Sequence, residues 1–348
     1  MTAFMNNSAW RPQGGFVVKT IDMHTGGEPL RIVTDGLPPI DGRTVLEKRR
    51  FFKEHYDFLR TGLMWEPRGH ADMYGAIVTA ATTADFDVFF LHNEGYSTMC
   101  GHAIIALTTL VLEAGVLRDG NRADEHYMTV TFNVPAGRIE ARGRMRAGRV
   151  SDVTFRNVPS FVYLKDGKIE IPGLGCVQFD IAYGGAFYAL VDAQSLGLSL
   201  TAENFIALIA AGRQIKQALA QAIDVSHPYE TDLSFLYGVI FTGLPLEAHH
   251  HSRNVCIFAE GEVDRSATGS GVSARAALHY ARGDLQLNQT IIIESILGST
   301  MSVKATEAVK FGAYDALVPE VGGSAFVTGR NEFFFDPADP FSHGFIFR

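Results

Sequence analysis

Cysteine is scarce in this chain of 348 residues, which contains only Cys100, Cys176 and Cys256. Three widely spaced cysteines without a C-x-x-C pair argue against a disulfide framework and against a cysteine zinc site. Cys176 and Cys256 each lie in a strand-like apolar run, which predicts two small, buried hydrophobic side chains. Cys100 differs, because in EGYSTMCGHAII (94–105) it stands where a polar loop meets an apolar, helix-forming run.

An excess of positive charge is also missing. The formal net charge of −8 argues against nucleic acid or anionic lipid as a main partner. The first residues lack a basic region followed by an apolar core, so no secretory signal is predicted. No apolar stretch approaches the roughly 18 residues needed to span a membrane. The sequence therefore predicts a soluble cytoplasmic protein.

The chain contains the same series of sequence patterns twice. An apolar-Asp-x-x-x-Gly-Gly pattern at 21–27 returns at 179–185, and each copy is followed by a long amphipathic helix, beginning at Thr44 and at Thr201. CGHAIIALTTLVLEAG (100–115) then matches TGSGVSARAALHYARG (268–283) at four positions in register. Both segments end at a glycine suited to terminate a helix. Three echoes in the same order indicate an internal duplication.

The duplication predicts an α+β protein of two pseudo-symmetric lobes. Residues 103–112 are apolar nearly all the way round, which is typical of a helix enclosed by protein. Strand-like runs without regular intervening helices disfavour a doubly wound parallel sheet. We expect each lobe to be a curved, mainly antiparallel sheet wrapped around one central helix. The N-terminal lobe is expected at 14–178, completed by 325–348, and the C-terminal lobe at 179–324, with the active site in the cleft between them.

Two facing helix starts predict a binding site for a carboxylate. Each start offers unpaired backbone N–H groups and partial positive charge, and Gly101 and Gly269 allow a ligand to approach the backbone. The same field is expected to lower the pKa of Cys100 and favour its thiolate. A thiolate beside a bound carboxylate is placed to remove the α-proton of an amino or hydroxy acid.

The chain resembles the proline racemase family, whose fold is that of diaminopimelate epimerase. The similarity runs over nearly the whole chain, through TIDMHTGGEPLRIV (20–33), EKRRFF (47–52), MWEPRGHADMYGA (64–76), LHNEGYSTMCGHA (91–103), DRSATGSGVSA (264–274) and DPFSHGF (339–345). Within that family it is most similar to the trans-3-hydroxy-L-proline dehydratase branch. The resemblance implies two lobes, a single site between them, no cofactor and no metal, and it favours a homodimer.

The resemblance also implies roles for seven residues. Cys100 and Thr268 match the positions of the two catalytic cysteines of the family, and Asp264 matches the residue that binds the ring nitrogen of the substrate. The remaining matches are substrate-binding positions at the two helix starts: Gly101, His102, Gly269 and Ser270. Two departures are Ala267, where the family usually has proline, and Ser270, where it usually has threonine.

Threonine at 268 changes the expected reaction. Racemisation needs an acid and a base on opposite faces of Cα, and a threonine hydroxyl without an adjacent base is a far weaker acid than a thiol. One base suffices for an elimination, however. In trans-3-hydroxy-L-proline the 3-hydroxyl lies on the same ring face as the α-hydrogen, so water is lost in a syn sense. The expected activity is therefore cofactor-independent dehydration of trans-3-hydroxy-L-proline to Δ1-pyrroline-2-carboxylate, with proline racemase or 4-hydroxyproline epimerase as the alternative.

Other motifs invite different readings. TGSGVSA fits a G-x-G-x-x-A dinucleotide fingerprint followed by Glu294, but EGEVDRSAT separates it from the preceding strand. A non-catalytic amino-acid binder would bind the same ligand without turnover. The tract His249–His251 resembles a metal site, but a solvated loop is expected there. His70 could line the pocket or be structural, and no role is assigned to His24.

Overall fold

The computed structural model describes residues 14–117 and 124–347. Within them lie four α-helices, α1 (Val45–Met64), α2 (Gly101–Glu113), α3 (Phe205–Ala222) and α4 (Gly269–Arg282). The strands that precede α3 are β1 (Phe16–Thr25), β2 (Glu28–Asp35), β3 (Tyr74–Ala80), β4 (Phe86–His92), β5 (Gly95–Ser97), β6 (Glu125–Val134), β7 (Gly137–Arg146), β8 (Arg149–Arg156), β9 (Ser160–Ile171), β10 (Gly175–Tyr183) and β11 (Phe187–Asp192). Those that follow it are β12 (Leu236–Gly243), β13 (Ser252–Phe258), β14 (Glu262–Val263), β15 (Thr290–Glu294), β16 (Thr300–Phe311), β17 (Tyr314–Gly323) and β18 (Ala325–Phe335).

The strands form a mainly antiparallel hydrogen-bonded system. Four pairs are parallel: β2 with β3, β4 with β6, β11 with β12, and β13 with β15. These pairs correspond between the two halves of the chain. Helix α1 connects β2 to β3 as α3 connects β11 to β12, and α2 lies between β4 and β6 as α4 lies between β13 and β15. The α+β class predicted from the sequence is confirmed.

Two enclosed helices form the centres of the fold. Helix α2 packs against β1, β7, β8 and β18, and 11 of its 13 residues are buried: Gly101, His102, Ala103, Ile104, Ile105, Ala106, Leu107, Thr108, Thr109, Val111 and Leu112. Helix α4 packs against β9, β10, β16 and β17 and is buried from Gly269 to Leu278. Burial all round α2 follows from its apolar sequence, as expected.

Particular residues near the helix ends determine where the helices begin and end. Thr44 caps α1 in a capping box with Glu47, whose side chain returns to the backbone N–H of Thr44. At the second expected helix start, Thr201 precedes a 3-10 turn, and α3 begins only at Phe205. Gly283 ends α4 in the left-handed conformation with φ 83°, as its position predicts.

The two halves of the chain share strand pairings. Strand β18 pairs with β1, and β17 pairs with both β8 and β9. The predicted division between 178 and 179 falls within β10. The lobe limits therefore stay a prediction, while strand exchange between the halves is an observed feature of the sheet.

Two further expectations concern surface and burial. No helix in the described ranges is long and apolar enough to cross a membrane. Cys256 is fully buried on β13, as predicted, but the prediction for Cys176 was wrong. Cys176 lies near the start of β10, where most side chains face solvent, and its own side chain is exposed.

Candidate active site

All seven residues proposed from the sequence line one small cavity where the N-termini of α2 and α4 meet. The cavity has a volume of about 20 Å³, which is room for roughly one water molecule. Its lining from the sequence-based set is Cys100, Gly101, His102, Asp264, Thr268, Gly269 and Ser270. Each of these residues is almost completely buried.

Cys100 is the N-cap residue of α2. Its backbone is extended (φ −142°, ψ 102°), and its Sγ accepts a hydrogen bond from the backbone N–H of Ala103 at 3.4 Å. Sulfur thus does what a serine or aspartate oxygen does at a typical N-cap. A ring nitrogen of His102 lies 3.2 Å from the same sulfur. The thiol is held at the helix start and faces the cavity.

The expected direction of the Cys100 pKa was wrong for this closed state. Burial raises the pKa of the Cys100 thiol well above its usual value, and the negative charge of Asp264 raises it further. Hydrogen bonding from the Ala103 N–H and from the Tyr74 hydroxyl lowers this pKa, but by less. The helix start therefore acts as predicted, and desolvation outweighs it.

Burial also sets the charge of His102. It lowers the pKa of this side chain to about 4, although the nearby Asp264 opposes the shift. The imidazole is consequently neutral near pH 7. The backbone of Pro29 hydrogen-bonds to the ring. Both ring nitrogens lie near the Cys100 sulfur, Nδ1 at 3.2 Å and Nε2 at 3.5 Å.

Thr268 occupies the corresponding position on α4, with a strained backbone. Its φ of 66° is in the left-handed region, which is unusual for a β-branched residue. Its side chain does not cap the helix, and its buried hydroxyl interacts with the Cys256 thiol, whose pKa it lowers. The N-terminus of α4 is thus left uncapped by its own N-cap residue.

The two helix starts touch at a pair of glycines. A Cβ atom placed on Gly101 would lie 2.6 Å from the Cα of Gly269, and the reverse substitution gives the same distance. Such a separation is far inside van der Waals contact, so neither position accepts a side chain in this arrangement. The glycines bring two sets of helix N–H groups and two partial positive charges to one point.

Asp264 supplies the negative charge of the cavity. It is buried, its Oδ1 accepts a hydrogen bond from the Ser266 N–H at 2.8 Å, and its own N–H binds the carbonyl of Cys256. Glu28 lies close enough for Asp264 to raise the Glu28 pKa, which burial already raises well above the usual value. Asp264, and not Glu28, lines the cavity, where its carboxylate can pair with a cation.

Sequence reasoning missed six residues of the lining. Three are tyrosines, one is the buried Cys256, and two are hydrophobic; they are Met99, Tyr74, Tyr188, Tyr237, Cys256 and Phe258. Five of them come from β3, β11, β12 and β13, and four of these five lie outside every motif. The available signals are Tyr74 and Met99, which lie inside MWEPRGHADMYGA and LHNEGYSTMCGHA, two segments that carry the family resemblance.

In the described part of the chain, the dinucleotide-like motif and the histidine tract do not form a second site. Glu294, the candidate ribose ligand, is buried and accepts hydrogen bonds from the backbone of Leu246 and Glu247 and from His250. The histidine tract is thus partly structural and not simply a solvated loop. His70 is exposed and absent from the cavity lining. Among the described residues, no cluster of three or more His, Cys, Asp or Glu side chains could hold a metal ion.

A larger cleft of about 720 Å³ lies beside the cavity and shares Tyr237 with it. Its cationic side chains are largely matched by acidic ones, as in the pairs of Arg49 and Arg50 with Asp232 and of Arg60 with Asp57. Size therefore does not identify the reactive site here, and the small cavity is distinguished by its chemistry.

Comparison with known proteins agrees with this geometry. The family model described as proline racemase matches residues 20–346. The trans-3-hydroxy-L-proline dehydratase of Colwellia psychrerythraea is 52% identical over 346 residues, covering 97% of this chain and 96% of that protein. The human trans-3-hydroxy-L-proline dehydratase is 43% identical over 337 residues, covering 95% of each chain.

Solved structures show the same fold. The crystal structure of a hydroxyproline epimerase from Agrobacterium vitis, with bound trans-4-hydroxy-L-proline, superposes with a TM-score of 0.90 at 30% identity and covers 96% of each chain. The matched family model and the near full-length relatives establish that this chain belongs to the proline racemase family.

Proposed function

We propose that this protein dehydrates trans-3-hydroxy-L-proline to Δ1-pyrroline-2-carboxylate, with Cys100 removing the α-proton. The observation that carries the proposal is the pairing of one thiol, Cys100, with a hydroxyl, Thr268, at two helix starts that face one cavity. Relatives at 52% and 43% identity are named as dehydratases of this substrate, which supports the choice of reaction.

Binding follows from the charges of the cavity. The substrate carboxylate is held by N–H groups at the starts of α2 and α4, where Gly101 and Gly269 leave room for backbone contacts. The secondary ammonium of the ring pairs with Asp264 in a charge-assisted hydrogen bond. His102 and Ser270 complete the two ends of the carboxylate site, and the Tyr188 hydroxyl fixes Ser270 through a 2.7 Å hydrogen bond.

Substrate binding also prepares the base. Asp264 raises the pKa of Cys100, and a bound ammonium cancels that unfavourable charge. The thiolate then removes the α-proton while helix N–H groups stabilise charge that flows into the carboxylate. Loss of the 3-hydroxyl from the same ring face gives an enamine, which tautomerises to Δ1-pyrroline-2-carboxylate.

An isomerase is the second candidate, because a hydroxyproline epimerase shares the fold at a TM-score of 0.90. Epimerisation needs a proton donor on the face opposite Cys100. Thr268 offers an alcohol there, whose proton is far less acidic than that of a thiol. Its neighbour Cys256 is a buried thiol whose pKa burial raises well above the usual value, so Cys256 does not act as a base for that alcohol near neutral pH. The residue at 268 therefore favours elimination over epimerisation.

The test is a product assay on purified protein. Incubation with trans-3-hydroxy-L-proline should release a pyrroline, detected as its coloured adduct with o-aminobenzaldehyde. Cys100→Ser should lower kcat/KM by about 100-fold or more, because serine keeps the N-cap but is a much weaker base partner.

Cys176→Ser is the matched control, since it removes an exposed thiol from β10, outside the cavity, and should keep wild-type activity. Conversion of L-proline or a 4-hydroxyproline into its α-epimer, with no pyrroline from the 3-hydroxy isomer, would instead establish the isomerase.

A further inference from the structure

Dehydration requires a proton donor for the leaving 3-hydroxyl as well as a base for the α-proton. Hydroxide is a poor leaving group, so the departing 3-hydroxyl needs a proton donor. The α-hydrogen and the 3-hydroxyl share one ring face, so this donor must lie on the same side of the cavity as Cys100. The inference below rests on the proposed dehydration and identifies the residue that assists it.

Two side chains of the cavity lining interact with the Cys100 thiol. His102 is neutral, with a pKa of about 4, and its ring is hydrogen-bonded to the backbone of Pro29, so it has no acidic proton to spare. Tyr74 is the other. Its hydroxyl lies close enough to the sulfur to lower the pKa of the thiol, and its ring packs edge-on against His102 at 4.8 Å between centroids.

We propose that the Tyr74 hydroxyl is the general acid that protonates the departing 3-hydroxyl, and that Cys100 then returns its newly acquired proton to Tyr74. Tyr74 extends from the start of β3 into the cavity and is 3% exposed. It is a phenol set beside the catalytic thiol in a site closed to bulk water.

Each atom and electron pair has a destination in this cycle. The Cα–H bond breaks as the S–H bond of Cys100 forms, and its electron pair becomes the C2=C3 double bond. The C3–O bond breaks with its electrons on oxygen, and that oxygen takes the Tyr74 proton and leaves as water. The Tyr74 phenolate then takes the proton from the Cys100 thiol, a favourable transfer because phenols are ordinarily weaker acids than thiols. Both side chains end as they began.

Two neighbouring hydroxyls favour a short-lived phenolate at Tyr74, against burial, which raises the pKa of this side chain well above its usual value. The Tyr74 hydroxyl donates a hydrogen bond to Ser97 Oγ and lies 3.4 Å from the Tyr237 hydroxyl. Ser97 and Tyr237 carry rotatable O–H groups, so each can turn to donate to the Tyr74 oxygen once the Tyr74 proton has passed to the leaving group. The hydrogen bonds to Ser97 and Tyr237 also fix the position of the phenol across the junction of β3, β5 and β12.

Tyr74→Phe with two leaving groups tests this role. The variant should lose about 100-fold or more of wild-type kcat/KM on trans-3-hydroxy-L-proline, the usual range for a lost general acid. On trans-3-fluoro-L-proline the loss should stay within about 10-fold, because fluoride departs without full protonation. Pyrroline formation measures both reactions, and a fluoride electrode checks the second.

The ratio of the two activities is taken on one preparation, so a partly misfolded variant does not alter it. Tyr183→Phe is the matched control, because Tyr183 is buried, lies outside the cavity and has a hydroxyl without a hydrogen-bond partner among the described residues. It should leave both activities and their ratio unchanged.

The outcomes separate the two proposals. An equal loss on both substrates in Tyr74→Phe would overturn the role of Tyr74, as would a selective loss on the hydroxy substrate in Tyr188→Phe instead. Wild-type protein that forms no pyrroline from trans-3-hydroxy-L-proline would overturn the dehydratase itself.

Discussion

At the scale of single residues, the reactivity of Cys100 depends on a balance between desolvation and local charge. Burial and Asp264 raise the pKa of the thiol, while the Ala103 N–H and the Tyr74 hydroxyl lower it. Near neutral pH the group is therefore mostly a neutral thiol. In the proposed function, a bound ammonium cancels the contribution of Asp264, which would link base activation to binding of the correct substrate.

Asp264→Asn isolates that contribution. The amide keeps an acceptor for the Ser266 N–H and removes a negative charge that disfavours the thiolate, so the pKa of Cys100 should fall. The pH midpoint for alkylation of Cys100 by iodoacetamide, followed on its own peptide by mass spectrometry, should shift downward. Substrate turnover should be lost at the same time, because the ammonium loses its partner.

Asp315→Asn serves as the control for Asp264→Asn, since its carboxylate is 88% exposed on β17. It should leave the alkylation midpoint unchanged. An unchanged or higher midpoint in Asp264→Asn would show that this carboxylate does not govern the thiol.

The sequence allowed the polar residues of the cavity to be predicted better than the aromatic ones. Cys100, Thr268 and Asp264 stand in motifs next to helix starts, where chemistry and local structure coincide. Tyr74 and Tyr237 lie on separate strands far apart in the chain, and their contact at 3.4 Å depends on the pairing of the whole sheet. The direction of the Cys100 pKa was missed for the same reason, because desolvation is a property of the packed protein.

At the scale of elements, the two central helices matter through their first turns. Their apolar or small residues and their terminal glycines made their positions predictable from the sequence. The distance between them was not predictable, because it is set by the sheets that hold each helix. Contact between Gly101 and Gly269 brings both partial positive charges to one point of the cavity.

Gly269→Ala tests this close approach. Its Cβ would lie 2.6 Å from the Cα of Gly101, so the helix starts must move apart. Overpacking of this kind costs about 1–3 kcal/mol of folding free energy, and a displacement near 1 Å can cost about 100-fold in activity. Urea unfolding and kcat/KM measure the two effects.

Gly329→Ala provides the comparison for Gly269→Ala, because a Cβ at that position of β18 meets no atom within 4 Å. It should retain wild-type activity and stability. If Gly269→Ala behaved like Gly329→Ala in both measurements, the contact between the helix starts would be needed neither for stability nor for activity.

At the scale of the whole molecule, the closed cavity imposes a requirement for movement. A volume of about 20 Å³ holds roughly one water and not a five-membered ring with a carboxylate. The cavity walls come from both halves of the chain, which meet at the glycine pair, at Tyr74 with Tyr237, and where the Arg265 N–H binds Glu28. Substrate entry must therefore loosen contacts between the halves.

Hydrogen exchange on the Cys100→Ser variant can detect this coupling. Serine preserves the N-cap of α2, so trans-3-hydroxy-L-proline should bind without being consumed. Because the carboxylate is held by both helix starts, binding should slow amide exchange in 97–106 and in 264–274 over the same range of ligand concentration. The exposed turn at 146–149 should show no change. Protection confined to one of the two segments would mean that a single helix start binds the ligand, and the duplicated site would then be only a relic of the duplicated fold.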